Sequence, residues 1–412
     1  MIPVAKPWLG EEEAAAAREA ILSGWVTQGP RVAEFEGAFA AWCGARHACA
    51  VSSCTTGLHM ALKAVGVAHG DVVVTVSHSF IATANAVRHC GAEPAFVDVD
   101  PVTFNMDPDA LERFLDEDCA HYGGAVYHAF SERGGLPAES PLALLPPEQT
   151  GRVAAIMPVH QLGMPCDMAR ILDIAARYGL PVVEDAACAA GSELSCDGGK
   201  TFAPVGRPHG AAACFSFHPR KILTTGDGGM ITTADAGSDS AYRLYRQHGM
   251  SVSDAVRHSA RKVTIEEYVL TGYNYRMTDV QAAMGIVQLG KLKAMVAERR
   301  RIMARYADGL SGLPWLTLPQ DPPWGRWNAM SYPVRLAPGA PEGQHALMQR
   351  LLDAGIATRP GVMNAHTEAP YRTALALPQS EAARAHVVLL PIFNTMTDEQ
   401  VDAVVREVRR GH

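Results

Sequence analysis

Lys221 and Asp185 are the two residues of this 412-residue chain whose types and placement could do chemistry together. Lys221 follows the aromatic, strand-like run 214–217 and precedes the turn Thr225-Gly226-Asp227-Gly228-Gly229, so its amine stands at the end of an element rather than on a mobile surface. Asp185 closes the apolar run Leu180-Pro181-Val182-Val183-Glu184. Alone, each reads as a solvated lysine or an N-capping aspartate. Together, an amine able to form a Schiff base and a carboxylate able to keep a pyridine nitrogen protonated are what pyridoxal phosphate needs.

The stretch Val51-Ser52-Ser53-Cys54-Thr55-Thr56-Gly57 is the candidate for the phosphate. A strand ends near Val51 and a helix starts near Thr55, with Leu58, Ala61, Leu62 and Val65 on its inner face. Free amides and the positive end of the helix dipole bind a dianion there. The same residues also read as an ordinary Ser/Thr cap. Thr55 offers a hydroxyl, and Ser216, five residues before Lys221, offers a second. Phe80 follows the run 72–76 and either stacks on a flat ring or plugs the core. His160 ends the run 153–159, where ligands of parallel sheets bind. Asn274 and Arg276 lie in a loop between aromatics, and bind an anion or satisfy backbone groups.

From about residue 48 to 233, strand-like and helix-like segments alternate, the pattern of a parallel α/β sheet. The runs 72–76, 95–99, 153–159 and 181–184 read as buried strands, and 167–178 as a helix with Met168, Ile171, Leu172 and Ala175 on one face. Thr278-Asp279-Val280-Gln281 is a capping box that opens a long helix towards Leu310. A proline-rich connector (Pro314, Pro319, Pro322, Pro323) and an α+β tail follow. The expected division is a large domain over 1–290 and a smaller one over 291–412. Residues 118–152, rich in Gly and Pro and poor in apolar periodicity, read as a long loop entering the strand 153–159 at its N-terminal end. The expectation there is a peripheral or oligomer-contact role.

The composition, 48% hydrophobic and 19% charged, is that of a globular chain. A net charge of -7 gives no footprint for nucleic acid or an anionic membrane. Apolar runs are too short to span a bilayer, and Glu11-Glu12-Glu13 interrupts any signal-peptide core, so a cytoplasmic enzyme is expected. Nine cysteines without a Cys-x-x-Cys pair suit reduced thiols rather than a disulfide frame or a zinc site, and no metal is expected.

The ordered set Ser53-Cys54-Thr55, Ser79-Phe80, Pro158-Val159-His160-x-x-Gly163, Glu184-Asp185-Ala186-Ala187, Ser216-Phe217-His218-x-x-Lys221, Thr225-Gly226-Asp227-Gly228-Gly229, His248-Gly249 and Tyr273-Asn274-Tyr275-Arg276-Met277-Thr278-Asp279 resembles the DegT/DnrJ/EryC1/StrS sugar aminotransferases. The resemblance runs from about Pro7 to the C-terminus and skips 118–152. It implies the fold type I of pyridoxal-phosphate-dependent transferases: a large α/β domain with a mostly parallel sheet flanked by helices, and a smaller C-terminal α+β domain. It implies Lys221 as the Schiff-base lysine and proton shuttle, Asp185 on the pyridine nitrogen, and Phe80 over the ring. Cys54, Thr55 and Ser216 would hold the phosphate, with Asn274 reaching in from the second subunit of a homodimer. His160, Arg276 and His366 are its candidates for lining the substrate pocket. The implied reaction moves an amino group, usually from glutamate, to the ketone of a nucleotide-linked deoxysugar.

Three departures stand out. Cys188 occupies the place of a glutamine that bonds the cofactor's ring hydroxyl, and a thiol is a weak partner for it. Ala190 stands where many members have histidine, and Asp227 replaces a glutamate. Lys221 is retained where the family's sugar dehydratases carry histidine, which favours amino transfer over dehydration. A free cyclitol ketone as acceptor, or a non-enzymatic regulatory role, are the remaining readings.

Overall fold

The structure is a computed structural model and describes residues 1–128, 130, 135–145, 151–252 and 265–410. Its main sheet grows from short β-branched runs. Glu93–Val97, Asp71–Val76 and Arg152–Ile156 pair in parallel, and every residue of Asp71–Val76 is buried. The bridges Ile156–Val182 and Val159–Asp185 carry the sheet on into Val183–Asp185 and Ala212–Ser216, also parallel. Gly229–Thr233 runs antiparallel to Ala212–Ser216 on one side and His47–Val51 on the other. The sheet is therefore mostly parallel, with helices such as Cys54–Ala64, Ala82–His89 and Met168–Tyr178 connecting its strands. Strands buried on both faces explain why the sequence shows runs rather than alternation.

Asp279–Leu310 is one 32-residue helix opened by the expected box, in which the Gln281 amide donates to Thr278 Oγ1 at 3.2 Å and the Thr278 amide to Gln281 Oε1 at 3.0 Å. Its first half gives Ala282, Leu292 and Met295 to the large core, its second half Ile302, Tyr306 and Leu310 to another. That second core lies under the antiparallel strands Leu316–Thr317, Tyr332–Leu336, Val387–Leu390 and Arg359–Pro360. The N-terminus joins this smaller unit: the Ile2 amide donates to Gly355 O at 2.7 Å and the Ile392 amide to Val4 O at 3.1 Å. Residues 2–4 are thus held against the smaller unit.

Two expectations are corrected. Strand bounds shift by one to three residues, as with 153–159, where the ladder covers Arg152–Ile156 and the next residues leave it to reach the site. The segment read as an unbroken loop contains a hairpin, Cys119–Tyr122 with Ala125–His128. Gly123 and Gly124 turn it, both with positive φ (60° and 76°), as a tight hairpin turn requires. The Gly-Gly signal was legible, but the outward strand is largely exposed and gives no apolar period. The hairpin meets the sheet at Tyr127–Arg152, the strand end far from the Asp185 side.

Gly229 ties this sheet to the functional region. A Cβ on it would lie 2.6 Å from Ser53 C, 2.7 Å from the Cys54 nitrogen and 2.8 Å from Phe215 O, all backbone. Backbone cannot rotate away as a side chain can, so Gly229→Ala should cost about 1–3 kcal/mol, the usual range for overpacking. Thermal denaturation of the variant measures it. The same push on Ser53–Cys54 should weaken phosphate binding at the neighbouring helix start.

Candidate active site

Lys221 sits in a loop that leaves Ala212–Ser216 and returns as Gly229–Thr233. The loop is closed on itself: the Phe217 amide donates to Gly228 O (2.9 Å), the Thr225 amide to Phe217 O (3.0 Å) and the Lys221 amide to His218 O (2.8 Å). The residue is half-buried as a whole, but its ammonium end is enclosed and reaches Cys188 Sγ at 3.0 Å. Burial works against the charge on Lys221, while Cys188, then Cys54 and Asp185, favour it, and the balance lifts the amine above the ordinary lysine range. The thiol that replaces the expected glutamine is thus a direct partner of the lysine.

Asp185 is buried where its strand ends. Thr83 Oγ1 donates to its Oδ2 at 2.8 Å, Ser79 Oγ pairs with that hydroxyl at 2.7 Å, and the Ala187 amide donates to Oδ1 at 3.1 Å. Burial raises the carboxyl above its ordinary range, and the Thr83 hydroxyl, the Ala187 amide and the more distant Lys221 offset this only in part. Among the described residues no cationic side chain hydrogen-bonds to it. A buried carboxylate in this state is matched by a cation supplied from outside the chain, such as a protonated ring nitrogen.

At the start of helix Cys54–Ala64, Ser53 Oγ accepts from the Thr56 amide at 3.2 Å and Ser53 O from the Gly57 amide at 3.1 Å. The Cys54 and Thr55 amides have no intrahelical partner and remain for an anion. The Cys54 thiol points elsewhere: it donates to Cys214 O at 3.4 Å, and burial pushes it well above the usual thiol range. At this position an anion meets the amide, not the sulfur. Cys54, Thr55, Phe80, Asp185, Cys188, Ser216 and Lys221 all line one cavity of about 610 Å³, within the range of small-molecule sites. Phe80 is 66% exposed at its mouth. The donor set on this one cavity fits pyridoxal phosphate: free amides and hydroxyls suited to a phosphate, a buried acid suited to a ring nitrogen, and an enclosed amine.

The remaining candidates stand apart. His160 borders the cavity, but the residue is fully buried, its Nε2 3.0 Å from Glu184 Oε2 and its Nδ1 accepting from the Cys166 amide at 3.0 Å. Buried Glu184 favours a charged ring, yet an imidazolium would set a second N–H against the Cys166 amide, so the geometry holds the neutral, Nε2–H form. Both nitrogens are committed to the fold. His366 is not in the cavity wall: Nδ1 pairs with Ser77 Oγ at 2.5 Å and Nε2 with Glu381 at 3.4 Å. Asn274 is exposed and Arg276 half-buried, and neither lines this chain's cavity. Thr83 was missed from sequence; its i,i+4 spacing from Ser79, just after a strand tip, was the available signal.

The His366 contact belongs to a latch that joins the two units across the cavity. Ser77 Oγ also accepts from the His366 amide at 3.0 Å, and His78 Nδ1 meets Asn364 Oδ1 at 2.8 Å. Burial lowers His78 to about 4, against the Asn364 bond that favours its charge. A histidine whose folded value lies below its unfolded value of about 6.5 adds stability at higher pH that is lost as pH falls from 6.5 towards 4. Melting temperature should drop across that window, and less steeply in His78→Gln.

Comparison with known proteins agrees with this architecture. The model of the DegT/DnrJ/EryC1/StrS aminotransferase family matches residues 7–128 and 146–409, so the match includes the hairpin and is interrupted just after it. The aminotransferase TlmJ from Streptoalloteichus hindustanus is 32% identical, with 100% of this chain and 98% of that one covered at a TM-score of 0.81. DesV of S. venezuelae, solved with a ketimine intermediate, is 29% identical, covering 97% and 94% at 0.78. DesI, solved in the presence of its TDP-sugar product, is 27% identical, covering 99% and 92% at 0.79. Likeness of this kind over the whole length, on a fold whose sheet brings an enclosed amine and a buried acid to one cavity, has one reading: the chain belongs to the DegT/DnrJ/EryC1/StrS aminotransferase family and is a pyridoxal-phosphate-dependent aminotransferase.

Proposed function

We propose that the chain moves an amino group from glutamate to the ketone of a nucleotide-linked deoxysugar, in two half-reactions that share one cavity. The observation that carries this is the enclosed Lys221 amine beside buried Asp185 in a space of about 610 Å³. The TDP-sugar product of DesI supports the acceptor class. Pyridoxal phosphate, when bound, supplies a ring that takes up the electrons released at the substrate carbon.

The chain's own groups do the rest. The Cys54 and Thr55 amides, with the Thr55 and Ser216 hydroxyls, hold the phosphate. Asp185 sets its negative charge against the ring nitrogen, kept in place by Thr83. Lys221 Nζ anchors the cofactor and, once free, carries a proton to and from the reacting carbon. Cys188 Sγ, 3.0 Å away, steadies the free amine on the cavity floor. Phe80, on the cavity wall, would cover one face of the ring. Exposed Asn274 serves the neighbouring copy's phosphate in a homodimer, and the nine cysteines, all free, suit a cytoplasmic setting.

A donor and acceptor screen tests the reading. Glutamate should shift the visible band of the holoenzyme and release 2-oxoglutarate, and a nucleotide-linked keto-sugar should restore the band. Restoration by free inosose alone would make it a cyclitol enzyme, and no 2-oxoglutarate would point to dehydration.

A further inference from the structure

Cys188 Sγ and Lys221 Nζ lie 3.0 Å apart, and each is held there by its own backbone. The chain turns as soon as it leaves Asp185: the Ala187 amide donates to Asp185 Oδ1 at 3.1 Å and the Ala189 amide to Ala186 O at 2.9 Å. Asn328 Nδ2 fixes this turn, donating to Cys188 O at 2.8 Å and to Ala190 O at 2.9 Å. The opposing loop is closed by the amides of Phe217, Thr225 and Lys221. Two short turns thus present a thiol and an amine to each other, and among the described residues neither has another side-chain hydrogen bond.

Of the nine cysteines, Cys54 and Cys188 line the cavity. Cys54 is buried, its thiol turned to Cys214 O at 3.4 Å and pushed well above the usual range by that burial. Cys188 is only half-buried, on the wall of a space of about 610 Å³ that opens beside exposed Phe80. A small oxidant entering the cavity therefore meets this sulfur, and thiol oxidation follows access. Cys196 is exposed too, but it lies outside the cavity wall and no amine bonds to its sulfur among the described residues. The pairing of an accessible thiol with an amine, rather than the thiol alone, sets Cys188 apart.

We propose that Cys188 and Lys221 form an oxidative modification site, at which a hydroperoxide joins sulfur to nitrogen by a reversible S–N bond while the cofactor holds the amino group. Cys188 Sγ attacks one peroxide oxygen. The O–O bond breaks, the sulfur gives up two electrons, and the other oxygen leaves as water or an alcohol. Lys221 Nζ then attacks the sulfur of the sulfenic acid. The S–N bond forms, the S–O bond breaks, and the hydroxyl departs as water with a proton from the amine. Thiol, amine and hydrogen peroxide thus become one sulfenamide and two waters. Burial works against the charge on Lys221, and Cys188 is the foremost group that favours it. A neutral sulfenic acid withdraws that charge, so burial then favours the free amine, which is the nucleophile. The cofactor decides when this can happen, on the reading of Lys221 as its anchor. Pyridoxal phosphate engages Nζ, whereas pyridoxamine phosphate leaves it free beside the sulfur.

The test exposes holoenzyme loaded with pyridoxal phosphate, or with pyridoxamine phosphate, to hydrogen peroxide and reads peptide masses before and after a thiol reductant. The pyridoxamine form should yield a Cys188–Lys221 peptide pair lighter by two hydrogens than its parts, with a loss of amino transfer that the reductant restores. The pyridoxal form should resist. Cys196→Ser should crosslink as the wild type does, and Cys188→Ser should give no pair and lose none of its own rate to peroxide. In Lys221→Ala the sulfenic acid has no amine to meet, so dimedone should label Cys188 there. A wild type that forms no pair, its Cys188 carried on to the sulfinic acid or left untouched, overturns the site and leaves the amino-transfer reading standing. Peroxide damage that persists in Cys188→Ser overturns it as well. Equal crosslinking in both cofactor forms overturns the dependence on cofactor state, and the visible band of Lys221→Ala then reads separately whether Lys221 is the anchor.

Discussion

Lys221→Ala should lower transamination by roughly 10⁴-fold, the upper end for loss of a positioned acid–base group. The visible band of the cofactor-bound enzyme should vanish with it. Among the described residues no other lysine lines the cavity, and His160 there is locked between Glu184 and Cys166. Folding should survive, because the enclosed amine makes one side-chain hydrogen bond, to Cys188, and no ion pair among the described residues. A small primary amine added to the variant should restore part of the rate, since the cavity left beside Cys188 is open to the mouth. Single-turnover kinetics with glutamate, read beside a thermal melt, separate the outcomes. A variant that keeps its rate within tenfold of wild type removes Lys221 from the chemistry.

The fold was legible where one local signal suffices. Thr278 and Gln281 announced the long helix, and its bounds follow the capping box. Buried parallel strands announced themselves as apolar runs, though not their ends. Val159 and Asp185 pair only as an isolated bridge, at the point where the chain leaves the ladder for the site. The hairpin at 119–128 was hidden because half of it faces solvent. For the site, Lys221 and Asp185 were readable because chemistry constrains their types. His366 was misleading for the opposite reason: its polar partners, Ser77 and Glu381, are remote in sequence, so nothing local marked it as a latch rather than a ligand. Cys188 was visible as a departure, but its 3.0 Å contact with Lys221 depends on two loops meeting.

Asp185→Asn should separate function from stability in opposite directions. The amide keeps the shape, with its one oxygen accepting from the Ala187 amide and its NH₂ donating to the Thr83 hydroxyl, but carries no charge to hold a ring nitrogen protonated. Loss of one preorganised electrostatic partner costs about 10²–10³ in rate, and a full buried charge places Asp185 at or beyond the upper figure. The glutamate half-reaction, followed at the visible band, measures this directly. Stability runs the other way. The folded carboxyl sits above its unfolded range because burial opposes its charge. An acid shifted upwards costs stability above its unfolded pKa, and that cost disappears as pH falls. At neutral pH the cofactor-free variant should therefore melt at the same temperature as the wild type or higher, and the two should converge in acid. A buried charge that costs the fold and is repaid only when a cationic ring arrives is what a functional acid looks like. A variant that melts lower but turns over normally would make Asp185 an element of structure alone.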